Sequence, residues 1–586
     1  MEDDQRARER EERLRKRNER RRAKGLPAWE PAGFGLFPEA VPEFVTQETV
    51  EAAATVGSTG RTEMPRRRLA VSSAIFGLAT ALSRVLGLVR EMVASYYFGV
   101  SGRINAFTVA FQIPNLMRAL VADAALSSSF VPVFSDLLEK GERRRAWRVA
   151  SSLFWLMLLG LTALTAIYIL IAPWVVGIFG NPGHDRPLAV GLSQVLFPIV
   201  ALLGVSGIVV GILNSYDHFT VPALSPVFWN IAIIAGLAIG VPQAHSGDSK
   251  LYIYAASILG ATFIQVFLPM PWLRSLDRGD NRLRVLIDWH DPAVWRVFRM
   301  MVPVTLGLGL INVNAVIDTF FASRLIDGNL APNAIQKAFL VYMLPQGMFS
   351  VAVATVLFPT LARLASRGDA AGFRAQVSSG LRQIVFLLAP AAVVSATLAQ
   401  PIVRILFQRG HFHPGQTPVV ASALAAFSAG LVFNGTMLLL NRAFFSLQSN
   451  WLPTIVALAN LFLNALLDLA FYHLGVWGLP LSTALVNVAG TGALLYLLRH
   501  RIGRLDGRAI SASVAKILVA SALVAGVSYG VWRPLDSLVG RSFPGQVVSL
   551  GLALLASALA YFGACRVLGV RELRALLSLR SRLGQA

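Results

Sequence analysis

Fourteen stretches of this chain run for roughly 20 residues or more with almost no charge, which makes lipid the solvent that decides the fold. In hydrocarbon every backbone N–H and C=O must be satisfied inside its own segment or in a closed barrel. None of the stretches alternates with a period of two, so each reads as a spanning helix. Their cores fall at 70–94, 105–135, 148–178, 188–213, 220–241, 251–273, 297–324, 334–364, 379–407, 417–445, 452–473, 478–498, 513–532 and 546–568. The composition agrees, because 586 residues that are 55% hydrophobic and only 15% charged lie far from a soluble globular average. The expected fold is an all-α polytopic membrane protein of about fourteen transmembrane helices.

A net charge of +21 invites a nucleic-acid reading, which the placement of the charges argues against. Basic clusters occupy alternate connections: Arg66, Arg67 and Arg68 before the first span, Lys140, Arg143, Arg144, Arg145 and Arg148 after the second, Arg274, Arg278, Arg282 and Arg284 after the sixth. Further groups follow the eighth, twelfth and fourteenth spans. By the positive-inside rule both termini are expected in the cytoplasm, which an even number of spans allows. The single cysteine, Cys565, rules out an intrachain disulfide. Residues 1–68 mix basic and acidic side chains with Pro, Gly and Thr and lack an apolar period. They read as a charged cytoplasmic tail, disordered or partly helical, with no cleavable signal peptide.

The chain also repeats itself at an offset of about 228 residues. Asn105 to Phe111 and Pro114 recur as Asn333 to Phe339 and Pro345; Phe130 and Pro132 recur as Phe358 and Pro359; Pro173 and Phe179 recur as Pro401 and Phe407; Asn214 and Pro222 recur as Asn441 and Pro453. Two copies of a six-helix unit are therefore expected, at 69–273 and 274–508, the second range including its basic linkers. Six is even, so the copies share an orientation and are related by an axis along the membrane normal, an arrangement in which a substrate site lies between the halves. Residues 509–586 add two helices outside the repeat, as a surface for a lipid tail or a partner, and a short basic tail.

Arg84, Arg90, Glu91, Arg118 and Asp123 interrupt the first two spans. A charge near the bilayer centre costs at least a few kcal/mol, so such groups face a bundle interior or a wet cavity and mark a pathway. On an ideal helix Arg84 and Glu91 are nearly eclipsed, while Arg90 points about 120° from Arg84 and lies about 9 Å along the axis. Arg118 and Asp123 are five apart, a poor spacing for an intrahelical pair. Arginines so placed suit an anion, and a diphosphate above all, because a guanidinium fork donates two parallel hydrogen bonds to phosphoryl oxygens. The competing reading makes Arg90 and Glu91 a structural pair near the membrane face.

Asp318, Asn464, Asp468 and Thr483 offer oxygen ligands in the second half, with Asn464 and Asp468 one turn apart. Oxygen-only sets suit hard cations; the competing reading is a buried carboxylate bonded to Asn464 for packing. His411 and His413, in an expected outer loop, read as solvated rather than metal-binding. No phosphate loop, nucleophile elbow or zinc spacing is present, which points to a transporter rather than an enzyme, driven by membrane potential or an ion gradient.

The strings SRVLGLVRE at 83–91, AFTVAFQIPNLMRALVADAALSSSFVPVF at 106–134, IDTFFAS at 317–323 and LFPTLARLAS at 357–366 resemble the MurJ/MviN family of lipid II flippases, within the multidrug, oligosaccharidyl-lipid and polysaccharide exporter superfamily. The resemblance covers about 69–568. It implies a protein of the bacterial cytoplasmic membrane that carries the undecaprenyl-diphosphate-linked peptidoglycan precursor from the inner to the outer leaflet, no organic cofactor, and no nucleic acid as partner. It makes Arg84, Arg90 and Arg118 the family's cavity arginines and Asp123 its cavity acid, with Glu91 beside them. It also implies that the oxygen set resembles a sodium site. Two positions depart: Asn105 stands where many members have Asp, and Leu340 where some carry a cavity Arg. Lys337, three residues earlier on the same face, could supply that charge or snorkel from its helix end. Export of another polyprenyl-diphosphate-linked sugar, and a non-transporting scaffold that recruits cell-wall synthesis proteins through the tail, stand as alternatives; an organic-cation exporter would want acids where this chain has arginines.

Overall fold

The computed structural model describes residues 66–121, 125–216, 218, 220–276, 282–449 and 451–573; the expected tail at 1–65 and Asp123 lie outside them. The described residues are helical, without a strand. The first half runs α1 (Arg66–Phe98), α2 (Ile104–Val121), α3 (Ala125–Glu139), α4 (Arg143–Gly177), α5 (Arg186–Leu196), α6 (Ile199–Ser215), α7 (Thr220–Gly240), α8 (Gly247–Phe267) and α9 (Met270–Leu276). The second runs α10 (Pro292–Phe321), α11 (Ala331–Pro345), α12 (Val351–Ser366), α13 (Ala370–Thr397), α14 (Ala399–Phe407), α15 (Thr417–Ala429), α16 (Leu431–Ser446), α17 (Trp451–Phe471) and α18 (Gly478–Ile502), followed by α19 (Gly507–Val539) and α20 (Phe543–Val567).

Among the described residues ten helices are long and apolar enough to cross a membrane, or eleven if α15 and α16, bent by 44°, make one span. The segments expected at 70–94, 105–135 and 297–324 are also helical, as α1, α2 with α3, and α10, but are not among those ten. Helix length and composition thus support ten or eleven of the fourteen expected spans. Prolines explain several breaks: Pro345 closes α11 ahead of a π-turn at Gln346–Ser350, where the ladder is wound with an extra residue. Helix starts are capped at the connections. Asp185, Ser246, Asp291, Asp369, Asp506 and Ser542 each accept a hydrogen bond from a backbone N–H in the first turn, satisfying donors the helix cannot.

Buried apolar side chains form a core around Phe130, Phe134, Trp147 and Phe197, another around Phe107, Leu192 and Tyr254, and a large third around Tyr342, Phe373, Phe407 and Phe444. Helix α10 belongs to both halves: Val297 at its start packs in the first of these cores, and Phe321 at its end packs in the third. Helices α19 and α20 lie on α13 through Ile517, Val524, Tyr561 and Phe386, with the Tyr561 hydroxyl donating to the Phe386 carbonyl at 2.6 Å. Two ion pairs of 2.8 Å add to this contact, Arg404 of α14 with Asp536 of α19 and Arg382 of α13 with Glu572 just beyond α20.

Candidate functional site

The halves meet tightly at the membrane face opposite the arginine-rich connections. The repeat mates Asn105 and Asn333 face each other there: the Asn333 backbone N–H donates to Asn105 Oδ1 at 2.9 Å, and Asn333 Nδ2 donates to Thr108 Oγ1 at 2.8 Å. Asn105 Nδ2 in turn donates to the carbonyls of Val100, Gly102 and Asn329. An aspartate could accept the first bond but donate none of the other three, so the departure at 105 gains contacts across the junction. Backbone meets backbone nearby, with Gly102 N–H to Asn329 O and Gly183 N–H to Gly328 O at 2.8 Å, and His411 N–H to Tyr96 O at 2.9 Å. Such approach needs glycine. At Gly410 (φ 60°) an added Cβ would overlap the Tyr96 carbonyl, and at Gly99 (φ 69°) it would overlap that of His411. His411 is thus docked through its backbone and, among the described residues, sits in no cluster of metal-binding side chains.

Beneath this seam lies a buried ionic network. Arg90 pairs with Glu91 at 2.9 Å, donates to Asn230 Oδ1 at 3.4 Å and lies 5.0 Å from the Trp229 ring centroid. Glu91 approaches Lys337 of α11 at 3.8 Å, and Lys337, 2% exposed, donates to Ser95 Oγ at 2.6 Å and sits 5.3 Å above Phe407. Arg90, Glu91 and Lys337 are therefore brought together, and Lys337 is no snorkelling side chain: its ammonium is buried across the lobe junction. Sequence spacing pointed to the charges but not to Ser95, Trp229 or Asn230, whose uncharged side chains carry no pattern of their own.

Arg84 and Arg118 lie deeper. Each is fourteen residues from the end of its helix at that face, about 21 Å at 1.5 Å per residue, whereas Lys337 is only about 9 Å in. Arg84 is exposed, and its guanidinium lies against Gly347 in the π-turn of the second half, where any Cβ would overlap it. Arg118, half-buried in the last turn of α2, donates to Asn115 Oδ1 through Nε (3.2 Å) and Nη2 (2.9 Å). The two arginines thus sit at one depth below a closed end, one on each of two consecutive helices.

The oxygen set is partly assembled. Asn464 Nδ2 donates to Asp318 Oδ1 and to Asp468 Oδ2, both at 2.8 Å, and Asn314 Nδ2 reaches Asp318 Oδ2 at 3.4 Å. Asn464 Oδ1 and Asp468 Oδ1 are buried without a hydrogen-bond partner among the described residues. Thr483 instead donates to the Leu479 carbonyl, and its neighbour Ser482, fully buried, is the residue of α18 that lies beside Asp468. Two buried oxygens without a protein partner fit a cation with oxygen ligands, and a pair of carboxylates with amide and hydroxyl oxygens fits one of low charge.

The sequence profile of the lipid II flippase MurJ family matches residues 94–544. The lipid II flippase MurJ of Burkholderia cenocepacia is 30% identical over 503 residues, spanning 84% of this chain and 96% of that protein. The probable lipid II flippase MurJ of Haemophilus influenzae is 28% identical over 524 residues, spanning 84% and 98%. Among solved structures, a lipid II flippase MurJ in an inward closed conformation superposes with a TM-score of 0.69 at 23% identity, over 84% of this chain and 99% of that one. An inward-facing multidrug transporter of the MATE family shares the fold at a TM-score of 0.58 and 16% identity, over 78% and 99%. With matched helices, a seam between repeat mates and a family profile over most of its length, the chain belongs to the MurJ family of lipid II flippases.

Proposed function

We propose that this protein is a lipid II flippase of the bacterial cytoplasmic membrane, multi-pass with both termini in the cytoplasm, moving the lipid-linked peptidoglycan precursor from the inner to the outer leaflet by alternating access. The observation that carries the reading is the depth of Arg84 and Arg118, set below a sealed end within otherwise apolar helices. A diphosphate entering from the arginine-rich face would meet two guanidinium forks matched to its oxygens. Arg90, Glu91 and Lys337 form the floor of that path: the carboxylate holds two cations together, and the arriving anion competes with it for them. Release follows when the seam between Asn105 and Asn333 parts, exposing the same arginines to the other side. The partners are the lipid-linked precursor and membrane lipids, with cell-wall synthesis proteins engaging the N-terminal tail.

Asp318, Asn464 and Asp468, with Ser482 beside them, would hold a sodium ion, which supplies positive charge between two carboxylates that otherwise repel. The membrane potential drives the return of the positively charged cavity, at about 2.3 kcal/mol per charge per 100 mV. Leaflet-resolved labelling of the precursor in vesicles with and without this protein tests the function directly: the expected result is protein-dependent outer-leaflet signal, and equal signal in both samples would overturn it.

A further inference from the structure

We propose that Tyr342 is a positioning residue, which couples occupancy of the oxygen set around Asp468 to the site at Arg84 through the π-turn at Gln346–Ser350. The inference rests on the flippase reading and its sodium ion above. Tyr342 lies in α11, 1% exposed, with its ring 5.3 Å from that of Phe427 and 5.8 Å from that of Phe339 between centroids. Its hydroxyl accepts from Asn434 Nδ2 of α16 at 2.8 Å, and Asn487 of α18 lies beside it. Packing alone would hold the ring. The hydroxyl and its amide partners add a fixed direction, because a polar bond in an apolar interior is costly to break.

Both partners are tied to the oxygen set. Helix α18 carries Ser482, beside Asp468, and Asn487, five residues and about 7.5 Å further along. Between them Ala484 receives the break at Gly430, where an added Cβ would overlap the Ala484 Cα and come within 3.2 Å of Asn487 Nδ2. The start of α16 therefore rests on α18, and the Asn434 backbone N–H donates to the Gly430 carbonyl at 2.9 Å. A cation that draws Ser482 toward Asp468 shifts α18 and moves both partners of the hydroxyl together, since a close-packed interior transmits displacement. At the other end the π-turn begins four residues after Tyr342. Pro345 has no N–H to donate, so the ladder just ahead is one bond short, and rewinding the π-turn as α would rotate one side against the other by about 100°. Two windings make a two-state element. In the winding seen, Gly347 lies against the Arg84 guanidinium, and Ser350, fully buried, abuts Gly435, next to Asn434. Rewinding would carry Gly347 off Arg84, and the anchored Tyr342 hydroxyl opposes it.

The test measures binding of farnesyl diphosphate, as the probe, to the full chain in phosphatidylcholine nanodiscs, in sodium chloride and in choline chloride at equal ionic strength. Only binding lost in Arg84→Ala is counted. Sodium should raise probe affinity about fivefold or more, and by reciprocity the probe should raise sodium affinity, read by sodium NMR, by the same factor. Tyr342→Phe keeps the packed ring and removes the hydroxyl; it should still bind sodium, with a ratio of the two probe affinities of about one. Asn487→Ala should do the same from the α18 side. A merely structural role would lower both affinities alike and leave the ratio as it was. A ratio unchanged in both variants would overturn the proposal. Sodium and probe that both bind the wild-type chain without affecting each other would overturn it too, and leave both sites standing. A wild-type chain that fails to bind one of them would instead overturn the reading beneath the proposal, and the proposal with it.

Discussion

Arg84 and Arg90 stand six residues apart on one helix, yet their surroundings give them different work. Arg90 already has a carboxylate, an amide and an indole around it, whereas Arg84 is exposed against a glycine. Arg84→Ala and Arg118→Ala should each remove about 2 kcal/mol of diphosphate affinity, roughly thirtyfold, and abolish complementation of a flippase-depleted strain while the protein still reaches the membrane. Normal growth of both strains would remove these residues from the pathway. Lys337→Met should act differently, leaving Glu91 buried beside Arg90 alone and destabilising the closed seam, which thermal unfolding in detergent measures. For the oxygen set, Asp468→Asn should abolish sodium dependence of transport, and an unchanged dependence would show that the orphaned oxygens hold no ion. These charges were legible in the sequence because lipid makes any ionisable group conspicuous. Their division into a paired trio and two deeper arginines was not, since it depends on Lys337 arriving from a helix some 240 residues away, about the 242-residue separation of its bond to Ser95.

At the scale of single elements, two joints control how the helices are held. The first is the glycine seam. Gly410→Ala must adopt a left-handed backbone and overlap the Tyr96 carbonyl, which should cost the closed end about 1–2 kcal/mol. Electron–electron distances between spin labels on the 99–104 and 408–413 connections should accordingly lengthen in the variant, and an unchanged distribution would show that the seam does not gate. The second is the cap of α10. The hydrogen bonds from Arg145 hold the Asp291 carboxyl below the usual carboxylate range, outweighing its partial burial and aided by the Ala293 N–H. A lowered folded-state pKa means stability that is present above the unfolded value near 3.8 and lost as pH falls through the lower folded value. Asp291→Asn should therefore unfold at a lower temperature at pH 6, by the equivalent of about 1 kcal/mol given how exposed Arg145 is. The difference should close only below roughly pH 4. Elements themselves were well read from the sequence, since each expected apolar stretch is helical over its described residues; their breaks at Gly430, Pro345 and Leu398 were not, because a broken span keeps the same apolar composition as a straight one.

For the whole molecule, function should reside in the membrane-embedded part. Deleting residues 1–65 should leave precursor transport intact, and its loss would favour a scaffold role for the tail. The pair α19 and α20, held to α13 by Arg382–Glu572 and the Tyr561 bond and to α14 by Arg404–Asp536, should move with the second half as one body. The sequence by itself determined the class of fold, the helices, the duplication and the kind of charge in the first two spans, because each follows from the cost of polar groups in hydrocarbon and from a repeat that can be read by eye. Only the tertiary structure decided which end is sealed, that the repeat mates Asn105 and Asn333 close it together, that Ser482 rather than Thr483 faces Asp468, and that Lys337 completes the network around Glu91. Those facts rest on contacts between residues far apart in the chain, and chain spacing carries no information about which distant helix comes to lie alongside.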